Sequence, residues 1–240
     1  MSAPDKTKVA NHDVVSPAEW LAARRALLEK EKELTRLRDE LTELRRALPW
    51  EAVDKDYVFE GKEGKKTLAQ LFDGRSQLVV YHFMFDPSWD AGCRHCSFRA
   101  DNFDPIIVHL KARDVTMVVV SRAPYPKLAA YQERMGWKFD WLSSEKNDFN
   151  RDYHVSFSAE EVSNKEAFYN FASTKIDVSE REGHSVFYKD EKGAVFHTYS
   201  CYARGNEMLH GAYHYLDIVP KGRDEGGRGP FWVKRHDEYP

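Results

Sequence analysis

From Ser16 onward, apolar residues return on a seven-residue beat: Trp20, Leu27, Leu34, Leu41 and Leu48, with Leu37 and Leu44 on the adjoining seam. Charged residues of both signs fill the positions between them, as in Arg24-Arg25, Glu29-Lys30-Glu31-Lys32-Glu33 and Arg45-Arg46. Ser16 suits an N-cap, Pro17 the first helical position, and Glu19 completes a capping box. Pro49 ends the run. This pattern predicts one helix of about nine turns carrying a coiled-coil-like stripe. The stripe has two readings, a dimerisation arm or a face packed on the helix's own domain. Residues 1–15, largely polar, read as a mobile tail.

Beyond Trp50 the beat shortens. Tyr57-Val58-Phe59 reads as a lead strand, and Thr67 to Phe72 as a short helical piece. Leu78 to Phe85 is an apolar run suited to a buried strand, and Val115 to Val120 is a second, rich in β-branched residues. A helix is expected between them, from about Cys93 to Arg113. Pro124 to Met135 reads as a further helix closed by Gly136. Residues 140–158 read as irregular loop and Ala159 to Ala172 as an inserted helix. Ser185 to Lys189 and Ala194 to Tyr199 flank Asp190-Glu191-Lys192-Gly193, a hairpin signal. A last helix is expected over Asn206 to Ile218. The glycines from Gly222 to Gly229 lack the setting of a phosphate loop and read as a flexible connector, and Phe231-Trp232-Val233 is apolar enough to dock. The expected organisation is a tail (1–15), a long amphipathic helix (16–49), an α/β domain (50–220) and a C-terminal tail (221–240). Lead strand, central strand, helix, strand, helix, hairpin and helix is the order of a thioredoxin-like fold, a mixed sheet flanked by helices.

Composition narrows the class. The chain has 240 residues, 31% of them charged and 42% hydrophobic, with a formal net charge of −3. That balance gives no drive toward nucleic acid or anionic membrane. No stretch approaches the ~20 apolar residues of a membrane span, and no secretory pattern opens the chain. Three cysteines without an export signal point to the cytoplasm.

Two of those cysteines carry the chemistry. Cys93-Arg94-His95-Cys96 follows the apolar strand and opens a helical stretch, so the helix N-terminus faces the first thiol and favours its thiolate. Cys93 is then the nucleophile, and Cys96, nearly one turn further in, resolves the mixed disulfide. Arg94 and His95 place cationic or polarisable groups beside the sulfurs. Trp89, four residues before Cys93, matches the Trp-x-x-x-Cys-x-x-Cys spacing of thioredoxin.

The resemblance extends along nearly the whole chain. The capped helix Ser16–Leu48, Asp56 to Gly61, Tyr81 to Phe85, Ser121-Arg122-Ala123-Pro124, Met135-Gly136-Trp137, His197 to Ser200 and Tyr215-Leu216-Asp217 resemble the thioredoxin-like family called domain of unknown function 899. The resemblance implies a thioredoxin-like fold and a dithiol–disulfide oxidoreductase that needs no cofactor. Its implied partner is a disulfide-containing substrate or a small thiol. Two features depart from thioredoxin. No proline precedes Val186, so His184 or Ser185 is expected to face the cysteines, and Pro87 stands where thioredoxin has a buried aspartate, with Asp86 one place off.

Other readings use other residues. A non-catalytic thioredoxin-fold interaction protein would use the long helix as its interface. A peroxiredoxin-like peroxide reductase lacks its Pro-x-x-x-Thr/Ser-x-x-Cys motif here. Zinc would need about four ligands, and His210 and His214 alone, one turn apart on the last expected helix, read as a packing or surface pair. Cys201 reads as a small semi-buried residue, and His82 as a hydrogen-bonded core histidine. Arg122, at a strand's C-terminal end, could border the site or serve an ion pair.

Overall fold

A computed structural model describes residues 12–240 together with the backbone of residues 8 and 9. The chain divides after Pro49 into two compact units. In the first, the strand pair β1 (Lys8–Val9) and β2 (His12–Asp13) precedes helix α1 (Pro17–Arg46). The remaining residues of the expected mobile tail lie outside the described ones, apart from Val14, Val15 and the cap. Ser16 caps α1 as expected, its hydroxyl accepting from the Glu19 amide while the Glu19 carboxylate accepts from the Ser16 amide. None of the residues of α1 is buried.

The second unit is built on one eight-stranded sheet. In chain order its strands are β3 (Glu51–Ala52), β4 (Val58–Gly61), β5 (Gly64–Thr67), β6 (Gln77–His82), β7 (Val115–Ser121) and β8 (Trp141–Ser143). A separate hairpin, β9 (Ala167–Tyr169) with β10 (Ala172–Thr174), precedes the last two sheet strands, β11 (Gly183–Lys189) and β12 (Val195–Tyr202). The sheet order is β3-β12-β11-β6-β7-β8-β4-β5. Strands β6 and β7 run parallel across a helical crossover, while β11 is antiparallel to both β6 and β12. That four-strand centre is the thioredoxin fold.

Both faces of the sheet are buried, which is why β6 and β7 read as continuous apolar runs. Tyr81, Met117 and Val119 face one core with Phe83, Phe103 and Trp141. Leu78, Val80, Val118 and Val120 face the other with Phe59, Phe149 and Phe187.

Three expected helices differ. The Cys93–Arg113 stretch forms two helices, α2 (Arg94–Ala100) and α3 (Phe103–Lys111). Pro105 has no amide to donate to residue 101, so the turn at Asp101-Asn102 removes a bond that could not form. After α4 (Tyr125–Arg134) and α5 (Phe149–Asp152), the inserted helix stops early as α6 (Ala159–Asn164). Lys165 ends it in the left-handed conformation, and Asn170 and Phe171, both with positive φ, turn the β9–β10 hairpin. The last expected helix becomes a 3-10 segment, Ala203–Leu209, and α7 (Gly211–Leu216), divided at extended, buried His210. Burial of the His210 ring against Phe98 and Tyr213 overrides helical continuity there. Residues 140–158, expected as loop, contain β8 and α5.

Candidate active site

Strand β6 delivers the chain to the loop Asp86–Gly92, and Cys93 becomes the N-cap of α2. The Cys93 amide donates to the Met84 carbonyl at 3.1 Å, which ties the cap back to the strand's continuation. Directly before it, Gly92 leaves no room for a side chain. A Cβ there would lie 2.7 Å from Cε1 of Phe83 and 3.1 Å from Cε1 of Tyr131, both buried rings. Trp89, partly buried, packs against the same aromatic core.

The two thiols differ sharply. Cys93 is half-buried, whereas Cys96 is only 2% exposed; both are free. The hydrogen bond with Cys96 holds the Cys93 thiol well below its ordinary range against the opposing effect of burial, and hydrogen bonds from His95 and from the Cys96 amide add to this. His95 responds in kind: its bond to Cys93 raises its pKa. The His95 ring also donates through Nε2 to the Pro230 carbonyl at 3.2 Å. A ring donating to a carbonyl and a thiolate is stabilised as the imidazolium. Burial pushes the Cys96 thiol well up, and the neighbouring Cys93 sulfur pushes it further. Arg94 is exposed and has no contact with either sulfur among those described; its charge acts on His95, against the ring's protonation.

Behind Cys96 lies a buried polar layer that the sequence did not announce. Tyr81 hydrogen-bonds Cys96 and accepts from Arg99 Nη1 at 3.3 Å. Across the sheet, the register sets Tyr81 beside His184 and His184 beside Cys201. His184 Nδ1 and the Cys201 thiol both meet Oδ1 of Asn206, at 2.8 and 3.3 Å. Of the two residues expected to face the cysteines, His184 therefore lies on their side of the sheet. Ser185 points to the opposite side, where it bonds Nε2 of fully buried His82 at 2.9 Å. Burial lowers the His82 pKa to about 3, which keeps it a neutral core histidine.

The loop before Cys93 is pinned by a charged bridge. Arg122, at the end of β7, donates through Nη2 to Asp86 and through Nε to Glu180 at 2.6 Å. Asp86 also accepts from the Ser88 amide and hydroxyl and from Ser179. Although burial opposes it, these bonds and Arg122 hold the Asp86 carboxyl below its ordinary value. Glu180 is 1% exposed, and burial raises it to about 7 despite Arg122 and Ser156. Arg122 thus borders the site by positioning its loop.

The C-terminal segment supplies a second brace. Arg235 donates through Nη2 to the Gly92 carbonyl at 2.8 Å and through Nε to the Tyr131 hydroxyl at 2.7 Å. Ser97 joins Tyr131 (2.9 Å) to the Cys93 carbonyl (2.9 Å). Trp232 packs edge-on against Phe98 of α2, and Val233 is fully buried. The glycine run expected as a connector therefore leads a strap back to the dithiol. A cleft of ≈ 490 Å³ lined by residues such as Lys62, Lys66, Tyr125 and Trp137 lies elsewhere and includes neither cysteine. His210 and His214 separate: the first is buried beside Phe98, the second is exposed and donates to the Met208 carbonyl.

The family model described as "Bacterial protein of unknown function (DUF899)" matches residues 9–239. Among curated proteins none matches the chain. Among solved structures it is similar to peroxidoxin BcpB from Mycobacterium tuberculosis, at 14% identity and TM-score 0.44, over 67% of this chain and 92% of that one. Peroxiredoxin Q from Xanthomonas campestris is similar at 14% identity and TM-score 0.44, over 66% and 94%. A putative thiol:disulfide interchange protein DsbE from Chlorobium tepidum is similar at 16% identity and TM-score 0.39, over 63% and 86%. No helix among the described residues is long and apolar enough to cross a membrane.

Proposed function

The chain belongs to the DUF899 family, and within it we propose that this protein is a thiol–disulfide oxidoreductase acting through Cys93 and Cys96. The observation that carries the reading is the asymmetry of the two thiols. One is half-buried and held toward its thiolate by Cys96 and His95, and the other is buried and held protonated.

The Cys93 thiolate attacks one sulfur of a substrate disulfide, and the other sulfur leaves as a thiolate. Cys93 is then joined to the substrate in a mixed disulfide. Its negative charge is gone, so one of the causes that hold Cys96 protonated is removed while burial remains. Cys96 attacks the Cys93 sulfur, its proton passing to the leaving thiolate. The products are a reduced substrate dithiol and a Cys93–Cys96 disulfide, a two-electron exchange. Return to the dithiol requires a thiol reductant. The same steps in reverse oxidise a substrate.

Thiolate stabilisation favours the reduced form of the protein and makes its disulfide the stronger oxidant. The substrate is a disulfide or small thiol, and the action is cytoplasmic in this reading. The test is exchange with a small aromatic disulfide. Cys93→Ser is expected to abolish it, and Cys96→Ser to leave a mixed disulfide on Cys93, seen as an added mass. Unchanged exchange by Cys93→Ser overturns the proposal.

A further inference from the structure

The long helix α1 carries a surface whose occupant can be read from its charges. Written as heptads, Trp20, Leu27, Leu34 and Leu41 occupy position a, with Leu48 in the same register just past the helix end, and Leu37 and Leu44 occupy position d. The spacing from Leu34 to Leu48 alternates three and four, as a coiled-coil seam requires. These seven side chains are between 39% and 59% exposed, and no residue of α1 is buried. Ala23 and Lys30 fill the two earlier d positions. The repeat thus runs over about four heptads, the length at which such a pattern argues for a coiled coil.

The flanking positions set the partner. Position g holds Ala26, Glu33 and Glu40, and position e holds Arg24, Glu31, Arg38 and Arg45, of which Arg24 and Glu31 pair with each other along the helix. In a parallel pair of identical helices, each g residue faces the e residue five positions later on the other chain. Glu33 then meets Arg38 of a second copy, and Glu40 meets Arg45, each pair occurring twice by symmetry. In an antiparallel pair g faces g and e faces e, so the glutamates of g have no cation to face and the three arginines of e share one glutamate, Glu31. The pattern complements itself better in the parallel orientation.

We infer that α1 is the dimerisation element of this protein, a parallel two-stranded coiled coil formed with α1 of a second copy. Lys30 interrupts the seam at one d position, a polar residue that lowers stability and penalises shifted registers. Both helices then end side by side at Arg46, so the two chains leave the coiled coil at the same end.

The test is the mass of the full-length chain by sedimentation equilibrium over a wide concentration range. The expected result is a dimer that dissociates on dilution. Leu34→Glu with Leu41→Glu places charges in the seam and is expected to give a monomer, with the thermal transition of residues 50–240 retained. Glu33→Arg with Glu40→Arg makes both of these g–e pairs repulsive and is expected to raise the dimer dissociation constant roughly tenfold or more. Adding Arg38→Glu and Arg45→Glu to the same chain is expected to restore it. A wild-type chain that stays monomeric at all concentrations overturns the inference, as it would if the stripe packed within its own chain. A mass other than two chains also overturns it. So does a dimer indifferent to the g swap, the outcome of an antiparallel pair.

Discussion

At the scale of single residues, the site is governed by which groups hold a proton. His95 and Cys93 favour each other's charged form, so His95→Ala is expected to shift Cys93 toward the thiol. Alkylation by iodoacetamide at pH 6 should then slow roughly tenfold, with little change above pH 9, where the thiolate forms unaided. Cys96 should resist the reagent until the protein is denatured. Glu180 makes a separate prediction with the opposite sign from a usual carboxylate. Its pKa is raised on folding, to about 7, so its stabilising protonated form is fully present below the unfolded value and lost as pH rises through 7. Glu180→Gln mimics the protonated form: its oxygen still accepts from Arg122 Nε, and its amide NH2 takes the place of the oxygen that accepts from Ser156, whose hydroxyl can turn to accept instead. The wild type is therefore expected to lose stability relative to the variant between pH 5 and pH 8, by on the order of 3 kcal/mol. Denaturant titrations of both proteins across that range check it, and a pH-independent difference would remove Glu180 as a titrating group.

At the scale of elements, the turn into α2 is the tightest constraint. Gly92→Ala drives a methyl into the Phe83 and Tyr131 rings, and neither ring can yield without disturbing the aromatic core. The expected cost is about 1–3 kcal/mol of stability, read by chemical denaturation, with slower exchange at Cys93 in the folded fraction. Local patterns made much of this legible. The Ser16 cap, the apolar runs of β6 and β7, and the hairpin turn at Asp190–Gly193 are signals contained within a few residues, and each formed. Cys93 and Cys96 were legible for the same reason. The elements that departed from expectation were decided by tertiary packing: burial of His210 broke the last helix, and a hairpin turn at Asn170-Phe171 replaced helix. Tyr81, Arg99, His184 and Asn206 meet behind Cys96 from four distant segments, and no periodicity encodes that meeting. The one available sign was Arg99, three residues after Cys96 on the same face of α2, where an otherwise apolar stripe carries a charge.

At the scale of the whole second unit, the C-terminal segment packs beside the dithiol. The sequence suggested docking through Phe231-Trp232-Val233 but could not say where, since the contacts span more than a hundred residues. The strap holds the His95 imidazolium through the Pro230 carbonyl and the Cys93 turn through Arg235, and it is itself tied by Arg134 to Asp237 at 2.7 Å and by His236 to Asp101 at 2.6 Å. It acts in two directions: it favours the thiolate and it covers the α2 face beside it. Removing residues 230–240 separates these effects. Loss of the carbonyl is expected to raise the pH midpoint of Cys93 alkylation, because the imidazolium loses an acceptor. Loss of the cover is expected to raise the limiting rate at high pH several-fold, more for a bulky maleimide than for iodoacetamide. Because Val233 is buried, truncation exposes apolar surface, so Arg235→Ala provides the milder comparison. That variant keeps the Pro230 carbonyl in reach of His95 and should increase the limiting rate with a smaller change in midpoint. If midpoint and limiting rate are unchanged in both variants, the strap braces the fold without controlling the thiol. A rise in rate confined to the bulky reagent would make it a size filter, and the native substrate would then be a disulfide small enough to pass beneath it.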